Sequence, residues 1–108
     1  MKETFGEYIR NLRVLNNLTL TQLAAKLDMD SANLSKIENG KREFDFKRLD
    51  KLSQTFQLDI KALTEEYLSE KFAKTIIETK TNSKVFQLAE QKVEYFYQKN
   101  SKQGSIKF

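Results

Sequence analysis

The stretch from Thr19 to Gly40, TLTQLAAKLDMDSANLSKIENG, constrains the chain more than any other. Leu20, Leu23, Ala24 and Leu27 recur at helical spacing, Met29 follows a break, and Leu34 and Ile37 resume the spacing. The pattern predicts two short amphipathic helices joined by a tight turn. They share one small core, and the second keeps its other face free. Thr19 with Gln22 three residues on makes a capping box for the first. Asp28 stands where a left-handed backbone is needed, which Asp tolerates better than most residues. Asp30 caps the second helix, and Gly40 is placed to end it in the left-handed conformation.

The flanking segments are also helical. Thr4 and Glu7 form a capping box for a helix over 4–16, with Phe5, Ile9 and Leu12 on one face and Tyr8 and Leu15 beside them. Lys41 to Phe44 reads as a loop. Asp45 caps a fourth helix over 46–56, with Phe46, Leu49, Leu52 and Phe56 facing inward. Asp59 caps a helix over 60–78, and a last helix spans 84–99 after the polar stretch Thr79 to Ser83. A frayed tail is expected from about residue 100.

The 108 residues include no Cys, no His, no Pro and three Gly. Disulfides are impossible, as are metal sites on Cys or His and nucleophile systems that need His. Few helix breakers and many Leu, Lys, Glu and Gln point to an all-α protein. No apolar run approaches the roughly 20 residues that cross a bilayer, and the N-terminus has no apolar signal region. The expectation is a cytoplasmic protein with no cofactor, no metal and no membrane partner. The net charge is +4, with +2 on residues 1–58 and +2 on residues 59–108. Neither part is a basic tail, so a nucleic-acid reading depends on where the charges sit.

Two such helices with a free second face make a helix-turn-helix, whose second helix can enter the DNA major groove. The segments LTLTQLAAKLDMDSANLSKIENGKR and FDFKRLDKLSQTFQLD resemble the Cro/phage-repressor, or XRE, family over about residues 4–64. Ala24 matches the small position where the two helices cross. The resemblance implies a five-helix repressor-like DNA-binding domain over 1–64, a dimer on a two-fold operator, and half-sites about 34 Å apart or multiples of it. It assigns base reading to Ser31, Ala32, Asn33 and Lys36. Asn suits adenine, Lys suits guanine, and Ala or Ser can lie against a thymine methyl. It assigns phosphate contacts to Asn39, Lys41 and Arg42, with Thr19 and Thr21 near the DNA backbone. It pairs Arg13 with Glu38 as a buried ion pair. Departures stand at Leu20, where many members carry Gln, at Asp28, often Gly, and at Asp30, commonly Ser or Thr. A narrower resemblance, carried by TFGEYIRNLR, the SKIENGKR run and YLSEK, is to regulators that accompany DNA methyltransferases in restriction–modification systems.

Residues 65–108 read as a helical extension. The apolar stripe over 60–98 exceeds what packing on one small domain needs. Tyr67, Leu68, Phe72, Ile76, Phe86, Val93 and Phe96 are therefore dimerisation candidates, against simple packing within the chain. The acids Glu65, Glu66, Glu70, Glu90 and Glu94 read as solvated helix faces. Lys47, Arg48 and Lys51 read equally well as phosphate contacts or surface charges. A DNA-binding regulator is the leading function. The alternative is an antitoxin whose C-terminal helices bind a toxin, and an enzyme is disfavoured because no phosphate loop or acid/base constellation is present.

Overall fold

A computed structural model describes residues 3–102. The elements are α1 (Phe5–Leu15), α2 (Leu20–Lys26), α3 (Ser31–Glu38), a 3₁₀ turn (Phe46–Arg48), α4 (Leu49–Phe56), α5 (Ile60–Thr79) and α6 (Lys84–Lys102). Among the described residues every regular element is helical. The chain divides into two compact units, one ending at Lys71 and the other beginning at Phe72. The first unit thus extends past residue 64, because Tyr67 and Glu70 are tied into it. The expected tail lies outside the described residues, apart from its first positions, which continue α6.

The core of the first unit is built on Ile9, Leu23, Leu27, Leu34 and Leu52, all fully buried, with Ala24 between α2 and α3. The caps at Thr4, Thr19, Asp30 and Asp59 form as the sequence specifies, whereas Asp45 caps the 3₁₀ turn and α4 itself has no side-chain cap. Thr4 with Glu7 and Thr19 with Gln22 close both reciprocal bonds of a capping box. Asp30 Oδ1 accepts the Asn33 N–H at 2.6 Å, and Asp59 Oδ2 accepts the Ala62 N–H at 3.2 Å. The first turn of α1 also receives a distant cap, since the Phe5 N–H donates to Glu70 Oε1 at 3.0 Å. Glu70 is therefore a tie between α5 and α1 rather than a solvated acid.

Three of the links between helices share one design. Asn17, Asp28 and Gln57 adopt positive φ of 58°, 55° and 54°. Each is followed by a partly buried apolar residue, Leu18, Met29 or Leu58, packed on the core. Each link then ends in the next helix's N-cap, Thr19, Asp30 or Asp59. The backbone closes behind each left-handed residue, as where the Leu18 N–H donates to Arg13 O and the Met29 N–H to Ala24 O, both at 3.0 Å. These bonds satisfy carbonyls that a helix end would otherwise strand.

Three features set where α3 sits. Arg13 Nε donates to Glu38 Oε2 at 2.8 Å, Nη2 donates to Oε1 at 3.0 Å, and Nη1 donates to the Leu18 carbonyl at 3.0 Å. The Glu38 side chain is 4% exposed, and its hydrogen bond holds the Arg13 guanidinium above its ordinary pKa. Gly6 lets α1 approach the end of α3, where a Cβ would overlap the Ile37 carbonyl oxygen. Arg48 spans the α2–α3 turn. Its Nε donates to Leu27 O at 3.0 Å, Nη2 donates to Asp28 O at 2.9 Å, and Nη1 pairs with Asp45 at 2.7 Å. Lys51 pairs with the Asp28 carboxylate. Two of the three cations left open between phosphate and surface roles thus hold the turn itself.

Several expectations are corrected. Tyr67 is not on an outer surface. It is 7% exposed, its hydroxyl donates to Phe44 O at 2.6 Å, and its ring meets Phe5 edge-on at 5.4 Å. Burial pushes its phenol pKa up. Leu68 packs partly buried on the same core. Residues 41–44 form a loop as expected, but Phe44 within it is 3% exposed, and Leu15, placed beside the buried face of α1, is 78% exposed. Phe46 is half exposed because the 3₁₀ turn changes the helical phase before Leu49.

Arg13→Ala strands the buried Glu38 carboxylate and should cost about 3–5 kcal/mol in urea unfolding, while the double variant Arg13→Met/Glu38→Leu should recover much of the loss. Gly6→Ala should destabilise by about 1–3 kcal/mol through overpacking against α3, with helical content unchanged by circular dichroism. Arg48→Ala removes charged donors from two carbonyls and should cost about 2 kcal/mol. Lys51→Ala, breaking an exposed pair, should cost under about 1 kcal/mol.

Candidate nucleic-acid interface

Helix α3 has two faces with opposite duties. Leu34, Ile37 and Glu38 point inward and are buried. Ala32 and Lys36 are exposed, and Ser31 and Asn33 are half-buried beside them. Of the four residues expected to read bases, Ala32 and Lys36 face outward, and Ser31 and Asn33 flank that outward side at either edge. The Asp30 cap fixes where that side begins.

The chain reverses just after α3. Gly40 has φ of 76°, its N–H donates to Ile37 O at 3.1 Å, and the Lys41 N–H donates to Lys36 O at 2.8 Å. This paired closure leaves the Lys41 and Arg42 side chains exposed at the end of α3. The Arg42 guanidinium turns back and donates from Nη1 to Asn33 Oδ1 at 2.6 Å. Asn39 also folds inward: its Nδ2 donates to Ser35 O at 2.9 Å, so part of its donor capacity completes the α3 cap. Of the phosphate candidates on this side, Lys41 has the least restrained cation. Thr19 and Thr21 are both exposed at the start of α2. Thr19 Oγ1 accepts the Gln22 N–H at 3.1 Å, and its own hydroxyl proton stays available.

The sequence missed the Arg42–Asn33 contact and the Arg48 clamp. Both join residues nine or more positions apart through loop backbone that has no periodicity. The clue available was only that Arg, with five donors in a fixed fork, suits such bridging.

The second unit contains the end of α5 and all of α6. No residue from Phe72 to Lys99 is buried. Phe72 and Phe86 meet at 6.4 Å between ring centres, beside a groove of about 300 Å³ lined by Ile76, Val85 and Ala89 among others. Val93 and Phe96 are 45% and 40% exposed. Among the described residues there is no cluster of acids that could hold a metal ion, and no helix is long and apolar enough to cross a membrane.

A helix-turn-helix family model matches residues 9–63, just over half of the chain. The chain is 50% identical over 40 residues to the HTH-type transcriptional repressor RghR of Bacillus subtilis, covering 37% of this chain and 30% of that protein. It is 53% identical over 38 residues to the HTH-type transcriptional regulator RghRB of the same organism, covering 35% and 27%. The matches thus span less than a third of those relatives. Among solved structures, it resembles one of the SinR protein/SinI protein complex at 20% identity and a TM-score of 0.50, over 85% of this chain and 96% of that one. That likeness concerns the fold. With its two-helix core, its caps and the family match in agreement, the chain belongs to the XRE-type helix-turn-helix family.

Proposed function

We propose that this protein is a sequence-specific DNA-binding transcriptional regulator that inserts α3 into the major groove. The observation that carries this reading is the division of α3. Its inner face is fixed by Leu34, Ile37 and the Arg13–Glu38 pair, while Ala32 and Lys36 face outward with Ser31 and Asn33 at the edges of that face. Lys and Asn supply the donors and acceptors that distinguish base pairs in the major groove. Lys41, Thr19 and Thr21 border that side and supply phosphate contacts that set register. The repressor role of RghR supports repression as the mode of action.

The regulator acts as a homodimer on a two-fold operator. Support comes from the second unit, where Ile77, Val85, Leu88 and Val93 are each 40% or more exposed. A soluble monomer rarely leaves so many large apolar side chains uncovered, and a second copy would cover them with the same face. Phe72, Ile76, Phe86, Val93 and Phe96 are the interface residues in this reading. Control of restriction–modification genes is a narrower setting of this reading, whereas an antitoxin whose C-terminal helices bind a toxin is the alternative; a neighbouring methyltransferase or small toxin gene separates the two.

Selection of bound DNA from a random pool should return a two-fold motif. On that motif Lys36→Ala and Asn33→Ala should each lose about tenfold or more in discrimination at particular base pairs, with the fold intact. Lys41→Ala should weaken all sequences alike and lower the salt slope by about one. Uniform binding of every sequence by the wild type would end the base-reading proposal. Val93→Asp should shift sedimentation equilibrium from dimer to monomer, and a dimer that survives it would place the interface elsewhere.

A further inference from the structure

Arg42 stands beyond the end of α3, yet its Nη1 donates to Asn33 Oδ1 at 2.6 Å. A guanidinium carries only donors, so the amide oxygen, and not the amide nitrogen, must face it. The bond is charge-assisted, and a flipped amide would set its Nδ2 donor against the Arg42 donor, so the contact favours one amide orientation. Asn33 is held at its main chain as well, because Asp30 Oδ1 accepts its N–H at 2.6 Å. The Gly40 reversal makes the side-chain contact possible by turning the chain back along α3. Asn33 Nδ2 has no protein acceptor among the described residues, so both its N–H groups remain for a ligand.

We infer that Arg42 is a specificity-determining positioning residue: by holding Oδ1, it makes Asn33 read the base edge with its Nδ2 donor. A rotating amide could offer either end to DNA. The held amide offers N–H to a purine N7, and only the second lone pair of Oδ1 remains to accept from adenine N6. Cytosine, which presents an N4 donor at its major-groove edge, is met by another donor and is rejected. This inference rests on α3 being the reading helix. It replaces a sequence-neutral phosphate role for Arg42 with one exerted through Asn33.

The test is a panel of single-base variants of the selected operator, titrated with the wild-type protein, Asn33→Ala, Arg42→Ala, Arg42→Gln and Asn33→Ala/Arg42→Ala. Asn33→Ala first identifies the base pair that Asn33 reads. Arg42→Ala should then lose about tenfold in discrimination at that pair and leave the other pairs unchanged. Arg42→Gln, which is neutral but can still donate to Oδ1, should restore most of it. The double variant should discriminate no worse than Asn33→Ala alone. An even loss of affinity across the whole panel in Arg42→Ala, with discrimination at the Asn33 pair intact, overturns the inference and makes Arg42 a phosphate contact. An Asn33→Ala protein with unaltered preference at every pair overturns the base-reading role of Asn33 itself, a distinct failure. Because Arg42 is exposed, thermal unfolding should be nearly unchanged in both Arg42 variants.

Discussion

The Arg13–Glu38 pair is the interaction on which the first unit depends. It joins the last turn of α1 to the last turn of α3, and its third donor reaches the Leu18 carbonyl in the α1–α2 link. One side chain thus connects α1, the α1–α2 link and α3. Two charges withdrawn from water are costly, and a bidentate geometry with an extra carbonyl partner is what offsets that cost. An apolar contact in the same place would hold the helices together without fixing their relative rotation. The fork-to-carboxylate geometry fixes the rotation, and with it the direction in which the outer side of α3 faces.

Most of the first unit was legible in the sequence because its signals are local. The capping pairs Thr4–Glu7 and Thr19–Gln22, the left-handed Asp28 and Gly40, and the leucine spacing of α2 and α3 each need only a few adjacent residues. What escaped depends on residues far apart in sequence. Phe44 lies in a loop and repeats with nothing, yet its ring and carbonyl are shared with Phe5 and Tyr67. Tyr67 looked like part of a long apolar stripe, and nothing local says where along α5 the first unit ends. Gly6 reads as a weak helix position until the Ile37 carbonyl is placed against it.

The interface residues were legible in position but not in engagement. Their placement on α3 follows from helical phase once Leu34 and Ile37 are set inward. Their hydrogen bonds do not follow from phase. Asn39 completes a cap, Arg42 grips Asn33, and Arg48 and Lys51 hold the turn that precedes α3. Charge near the expected DNA surface is therefore divided between contacting a ligand and stiffening the scaffold. The modest net charge of +4 is consistent with that division.

The links built from a left-handed residue, an apolar residue and an N-cap recur three times, at 17–19, 28–30 and 57–59. Each position has a separate task, so the link has no slack. One inserted residue would advance the following helix by about 100° and move the apolar anchor off the core. Change in this part of the molecule can therefore proceed by substitution but hardly by insertion or deletion. The exposed residues of α3 can be exchanged without disturbing the core, while the wiring that orients the helix keeps its length.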